Sequence, residues 1–266
     1  MTGSLRRLWA VARNTFVEAV RNRVLHVSLV FAVLVLAGAP LLGELTVGEE
    51  RRTVVDMGLW GISFFGVAIG IVLGVSLVYQ ELERRTIYVI LSKPVRRWEF
   101  VVGKYAGMAL TLLALVALMV PVFLATLWLV GAAPGVEVVK ALVLVTAEIL
   151  LMCAVALLFS SFSTPVLSGV LAFGIFVLGR LTEEILALAD KTTLAGSEWA
   201  LGLLAHVLPN LQLFSVSGRS LDGAWVSVHG TFVTWGYVGT VLLYGATYAA
   251  LALGLAAFLF NRREFS

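Results

Sequence analysis

ELERRTIYVILSKPVRRWEFVVGK, residues 81–104, is a charged island between two long apolar runs. Ahead of it lies MGLWGISFFGVAIGIVLGVSLVYQ (57–80), and behind it YAGMALTLLALVALMVPVFLATLWLV (105–130). Each run can cross a bilayer, since about 20 apolar residues at ~1.5 Å rise cover a hydrocarbon core of ~30 Å. A segment holding Arg84, Arg85, Lys93, Arg96, Arg97 and Lys104 cannot lie in hydrocarbon. It is expected on the cytoplasmic side, where basic residues are retained. The island also carries an apolar stripe (Ile87, Val89, Ile90, Leu91), a Lys93-Pro94 breaker and a second short amphipathic piece. A loop with its own apolar face is built to dock on something.

Composition agrees with these two runs. Of 266 residues, 60% are hydrophobic and 13% charged, with a mean hydropathy of +1.00, against about 45–50% apolar and ~25% charged in soluble domains. The chain is therefore expected to be all-α and polytopic. Six membrane spans are expected near 24–42, 57–79, 104–130, 139–160, 166–188 and 238–260. A cytoplasmic loop would cover 80–103 and an external segment 189–237, all within one transmembrane domain. Of the 19 Lys and Arg, most fall on one side: Arg6, Arg7, Arg13, Arg21 and Arg23, the six of the island, and Arg262 and Arg263. Arg51, Arg52, Lys140, Lys191 and Arg219 fall on the other. This bias puts both termini in the cytoplasm. It also accounts for the formal charge of +3 and the pI near 9.2 without nucleic acid. Ala37-Gly38-Ala39 has a small-residue pattern like a signal-peptide cleavage site, but more than twenty residues precede the apolar run and Pro40 follows it. An uncleaved first span is expected.

Residues 1–23 are expected to form an amphipathic helix capped by Ser4. Leu5, Leu8, Trp9, Ala12, Phe16, Ala19 and Val20 recur at helical spacing, which suits a helix lying in the cytoplasmic interface with its apolar face in lipid. The external segment 189–237 is rich in Trp199, Leu203, Leu208, Leu211, Phe214, Trp225 and Trp235. It is too apolar for a solvated linker and too long for a structureless loop. Short helices that dip into the outer leaflet or cap the bundle are expected there.

Three features within the spans stand out. Gly66, Gly70 and Gly74 form a stripe four residues apart, a close-approach face for another helix. Ala246, Ala250 and Gly254 make a weaker one. Whether either packs within the chain or across a dimer stays open. Glu148 and Arg180 are charges within spans, costly in hydrocarbon and therefore paired or functional. Counted from the same boundary they lie at similar depth, about 13–15 Å at ~1.5 Å per residue. Two readings remain open: a buried Glu148–Arg180 pair, or Arg180 reaching outward to Glu183 and Glu184 one turn away.

No GxxxxGK[ST] occurs, so no Walker loop for ATP is present in this chain. The lone Cys153 and the scattered His26, His206 and His229 lack metal-ligand spacing. No catalytic residues, metal ligands or cofactor are expected.

In this arrangement of spans, and in YQELERRTIYVILSKPVRRWEFVVGKYAG (79–107), the chain resembles the membrane subunit of ABC-2 type exporters. Glu81, Leu91, Ser92, Lys93, Pro94, Arg97, Gly103 and Lys104 match that family's run of an acidic residue, Leu-Ser-[Lys/Arg]-Pro, an arginine and then Gly-Lys. The resemblance implies a non-catalytic permease in the plasma (inner) membrane. It implies as partners a separate ATP-binding-cassette ATPase, a second permease subunit (homo- or heterodimer) and membrane lipid. It also implies coupling through Glu81, Glu83, Arg84, Arg85, Lys93, Pro94, Arg96 and Arg97. Glu81 and Glu83 would extend the second span, and Arg84 and Arg85 would meet acidic groups on the ATPase. Lys93-Pro94 would fix a turn, Trp98 and Phe100 would anchor the return, and Lys104 would sit at the headgroups. The alternatives are a non-transporting scaffold or assembly subunit, and an ion-coupled carrier dependent on Glu148 or Arg180.

Overall fold

The computed structural model describes residues 2–44, 50–83, 97–131, 135–189, 208–215, 217–219, 225–227 and 234–262. In chain order the helices are α1 (Thr2–Val20), α2 (Arg23–Glu44), α3 (Glu50–Glu83), α4 (Arg97–Leu129), α5 (Val136–Phe162), α6 (Pro165–Arg180), α7 (Thr182–Ala189) and α8 (Trp235–Arg262). Between α7 and α8 come a 3-10 turn, Leu211–Phe214, and two three-residue strands. Strands β1 (Ser217–Arg219) and β2 (Trp225–Ser227) pair antiparallel, Gly218 opposite Val226. The fold is all-α apart from this small ladder. Among the described residues five helices are long and apolar enough to cross a membrane, and α6 is a shorter apolar one.

Helix α5 sits at the centre. Its sequence is apolar around the whole circumference, the pattern of a helix enclosed by others, and it packs against α3, α8, α6 and α4. Leu144, Ile149, Met152, Cys153 and Ala156 on it are fully buried. Helices α2 and α8 lie outside and turn Val27, Phe31, Leu34, Leu243, Leu251 and Leu255 outward, the surface hydrocarbon would cover. Helix α3 has 34 residues, about 51 Å at ~1.5 Å each, longer than the ~30 Å core. The polar ERRTVVD stretch ahead of the second apolar run is its first turns, with an Arg52–Asp56 pair one turn apart at 4.0 Å.

The stretch expected as one span over 166–188 is two helices, α6 and α7, broken at Leu181. No proline is responsible. The backbone of Pro209 approaches Gly179 so closely that an added Cβ would stand 2.6 Å from its carbonyl oxygen and 2.9 Å from Leu211. At the break Leu181 N–H donates to Leu178 O at 3.0 Å. The released carbonyls are satisfied from elsewhere. Thr182 Oγ1 donates to Gly179 O at 2.9 Å, and Gln212 Nε2 donates to Arg180 O at 2.9 Å. The 3-10 turn is a buried wedge, with Leu211 and Phe214 fully enclosed. Tyr244 Oη accepts from Asn210 N–H, and Tyr237 Oη donates to Leu213 O, both at 3.0 Å.

Helix α1 corrects two expectations. It begins at Thr2, so Ser4 lies inside it rather than at its cap. Its apolar side is also divided: Leu5 and Trp9 are exposed, while Ala12, Thr15 and Ala19 are buried, and its main neighbour is α4. An amphipathic pattern fixes an apolar face but not whether lipid or protein covers it. The contact depends on two glycines of α4. A Cβ on Gly103 would stand 2.9 Å from Val11 Cβ, and one on Gly107 would strike Ala12 O and lie 2.6 Å from Thr15 Cβ. Gly107→Ala should therefore push the two backbones apart and cost about 1–3 kcal/mol. Thiol labelling of an Ala12→Cys reporter should accelerate in that background, and an unchanged rate would show that the contact is not tight.

Candidate functional site

The charged island is framed by the ends of two long helices. Glu81 and Glu83 lie in the last turn of α3, and Arg97 is the first residue of α4. The side chains of these three, and Arg84, Arg85, Lys93, Pro94 and Arg96 entirely, lie outside the described residues.

At the island's C-terminal end, α4 is fastened to α1 by two ion pairs. Arg7 donates from Nε to Glu99 Oε2 at 3.1 Å and from Nη2 to Oε1 at 3.0 Å. Glu99 is fully buried and stands in the first turn of α4, where the helix dipole also favours an anion. One turn on, Lys104 Nζ lies 3.8 Å from Glu18 and 5.9 Å from the Phe100 ring centroid. Phe100 in turn stacks on Phe260 of α8, ring centroids 5.7 Å apart. Lys104 and Phe100 are thus buried between helices, and only Trp98 of the expected anchors is exposed. The cause is the Gly103/Gly107 face, which brings α1 over them. Glu99 is the residue that sequence reasoning missed. Its signal was an acid among arginines at a helix start, paired with the basic Arg7 of an amphipathic helix.

A second site is built in the bundle core. Arg180, the last residue of α6, reaches Glu148 of α5 with Nε to Oε1 at 3.0 Å and Nη2 to Oε1 and Oε2 at 2.8 and 2.7 Å. Ser63 of α3 closes the triad, accepting from Arg180 Nη2 at 2.7 Å and donating to Glu148 Oε2 at 2.8 Å. Arg180 ends α6, and helical side chains lean towards the N-terminus, which carries its guanidinium back into the bundle. Of the two open readings, the geometry is that of the pair. Glu184 accepts instead from Gln212 Nε2 at 2.8 Å. Glu148 is wholly enclosed, whereas the Arg180 side chain is 25% exposed. That exposure is to a cavity of about 390 Å³. Arg180 and Ser63 line it together with Asp56, Met57, Trp60 and Phe214. Asp56 to Ser63 is two turns of α3, about 10 Å at ~1.5 Å per residue. The cavity thus runs inward from the Arg52–Asp56 pair near the start of α3.

The glycine stripe holds α3 against α5. A Cβ on Gly66 would lie 2.8 Å from Ile149 Cγ1, one on Gly70 would lie 3.6 Å from Ile149 O, and one on Gly74 would lie 2.8 Å from Ala156 Cβ. These glycines pack within the chain and bring Ser63 within reach of Glu148. Ala246, Ala250 and Gly254 on α8 face outward.

An all-helical bundle with apolar outer faces, an amphipathic helix clamped beside a charged segment and an ion pair in its core defines a multi-pass membrane protein. A family model described as ABC-2 family transporter protein matches residues 9–265. The chain belongs to that family, whose members are the membrane subunits of ABC transporters and are not themselves catalytic. It is also similar to the probable ABC transporter permease protein NosY of Stutzerimonas stutzeri, 28% identical over 113 residues, 41% of this chain and 41% of that protein. The match spans about two-fifths of that relative's length.

Proposed function

We propose that the chain is the permease subunit of an ATP-binding-cassette exporter. It forms the translocation path with a second permease subunit and is driven by a separate ATPase that docks on residues 80–103. Family membership over residues 9–265 carries this reading. The sequence holds no Walker motif, which supports a separate ATPase as the chain that hydrolyses ATP. The excess of Lys and Arg around α1, the island and the chain end favours a plasma-membrane topology with both termini cytoplasmic. That would put the island where a soluble ATPase can reach it. The ion pairs Arg7–Glu99 and Glu18–Lys104 support the coupling role. They tie the start of α4, and with it the return of the island, to α1, so a push at the island moves both elements as one unit.

Co-expression with the ATPase of the same operon tests the proposal. The two should co-purify, and the ATPase should turn over ATP at a different rate with the permease than without it. Failure to associate, with no effect on turnover, would leave the scaffold or carrier readings.

A further inference from the structure

We propose that the outward side of α1 is a binding site for anionic phospholipid, with headgroup phosphates on Arg6, Arg13 and Arg21 and the upper acyl chains against Leu5, Trp9 and Val20. The helix sorts its charges. Arg7 and Glu18 turn to α4, where they pair with Glu99 and Lys104. Arg6, Arg13 and, just past the helix end, Arg21 are exposed, and no side-chain hydrogen bond or ion pair joins them to the described residues. Glu18 is the one acid among residues 2–22, so the exposed side is cationic. Apolar surface lies beside these arginines: Leu5 is 66%, Trp9 63% and Val20 41% exposed. Arg6 stands three residues before Trp9 and Arg13 four after it, which puts both next to the indole on one helix face.

Guanidinium groups beside exposed aliphatic and aromatic side chains fit the boundary between headgroups and acyl chains. There the apolar parts enter the acyl region while the charged heads reach the phosphates. The chain continues directly into α2, whose Val27, Val30, Phe31 and Leu34 are exposed as well, a surface of the kind lipid covers. Charge selects the headgroup. Arginine can pair with any lipid phosphate, but a zwitterionic headgroup brings an ammonium that cancels the attraction. A basic residue close to an anionic surface favours binding about fivefold. The site is also preformed. A free interfacial helix must fold as it binds, against a costly nucleation step. Here the packing of Ala12 and Thr15 on Gly107 and the Arg7–Glu99 pair hold α1 from its other side. The inference goes beyond the permease reading and needs no ATPase, so the two can fail separately.

The test places the full chain in bilayer discs of phosphatidylglycerol and phosphatidylcholine, with one or the other lipid brominated on its acyl chains. Bromine quenches a tryptophan it touches, and the Trp9 signal is the difference between the wild type and Trp9→Phe. Brominated phosphatidylglycerol should quench Trp9 with an apparent affinity about tenfold or more above that of brominated phosphatidylcholine, as expected from two or three arginines. Arg6→Gln/Arg13→Gln should bring the two lipids within about threefold of each other while Trp9 stays quenched. Both residues are exposed and lack side-chain partners, so the variant should fold normally. Trp128, 80% exposed near the other end of α4 and read in the same way through Trp128→Phe, should show no such preference. Equal quenching of Trp9 by the two lipids, no quenching by either, or the same preference at Trp128 would each overturn the proposal. So would a double variant that keeps its lipid preference but loses co-purification with the ATPase, since the face would then be a protein-docking surface.

Discussion

Replacing Glu148 with Gln or Arg180 with Met should each lower the thermal stability of the purified protein, and the double variant should recover most of the loss. The pair lies in the bundle core, and leaving one member of a buried pair behind costs about 3–5 kcal/mol. The two singles should differ. Glu148 is 0% exposed, whereas Arg180 keeps 25% of its side chain open to the cavity. Arg180→Met strands an enclosed carboxylate and should fall in the upper part of that range. Glu148→Gln strands a partly hydrated guanidinium, and the new amide still offers Ser63 an acceptor, so about 2–3 kcal/mol is expected. Removing both charges takes away the desolvation that the pair had to overcome, which is why double replacement of buried pairs is often close to neutral. Thermal unfolding of the four proteins in one detergent closes the cycle. A double variant as damaged as the sum of the singles would mean the side chains act independently.

Much of this architecture can be read from the chain because a bilayer leaves few choices. Apolar runs must be helices, since lipid cannot satisfy an open backbone, and a mid-span carboxylate and guanidinium at equal depth have strong reason to meet. The Gly66–Gly70–Gly74 stripe was equally visible, but its partner was not. That depends on Ile149 and Ala156 of α5 having the shape to receive it, a property of two surfaces rather than one. The break at Leu181 was hidden for the same reason. LGRLTEE holds no proline, and its one glycine yields only because Pro209, distant in sequence, occupies the space beside it. Helix α1 shows the limit most clearly. Its apolar face was plain, yet Gly103 and Gly107, the residues that make α4 its neighbour, stood in the sequence as part of a charged motif and a span start. Small residues four apart at the start of a span, facing an amphipathic helix elsewhere in the chain, are the pattern that would have found it.

Reversing Arg84 and Arg85 to Glu should abolish coupling while leaving the permease in the membrane. Lys93, Arg96, Arg97 and Lys104 remain to hold the segment on its side of the bilayer, so membrane level should stay near normal. If the two arginines face acidic groups on the ATPase, reversal turns two attractions into repulsions. Like charges at an interface cost several kcal/mol, so co-purification should fall about a hundredfold or more, with ATP turnover and transport falling together. Pro94→Ala separates docking from transmission. Proline disfavours helix in the residue before it and cannot donate to a preceding carbonyl. Alanine would let helix run through Lys93-Pro94 and change the angle at which the island joins α4. The ATPase should then still bind, and hydrolysis should continue without transport. The fastening of α4 to α1 through Glu99 and Lys104 bears on the same point. Arg7→Ala, which changes no residue of the island but releases its Glu99 clamp, should lower transport per ATP hydrolysed with binding preserved. The pull-down, membrane level and ATP turnover, measured side by side, distinguish these outcomes. Unchanged binding and turnover in the Arg84/Arg85 reversal would reduce the island to a topology signal and move the search for the ATPase contact elsewhere on that side.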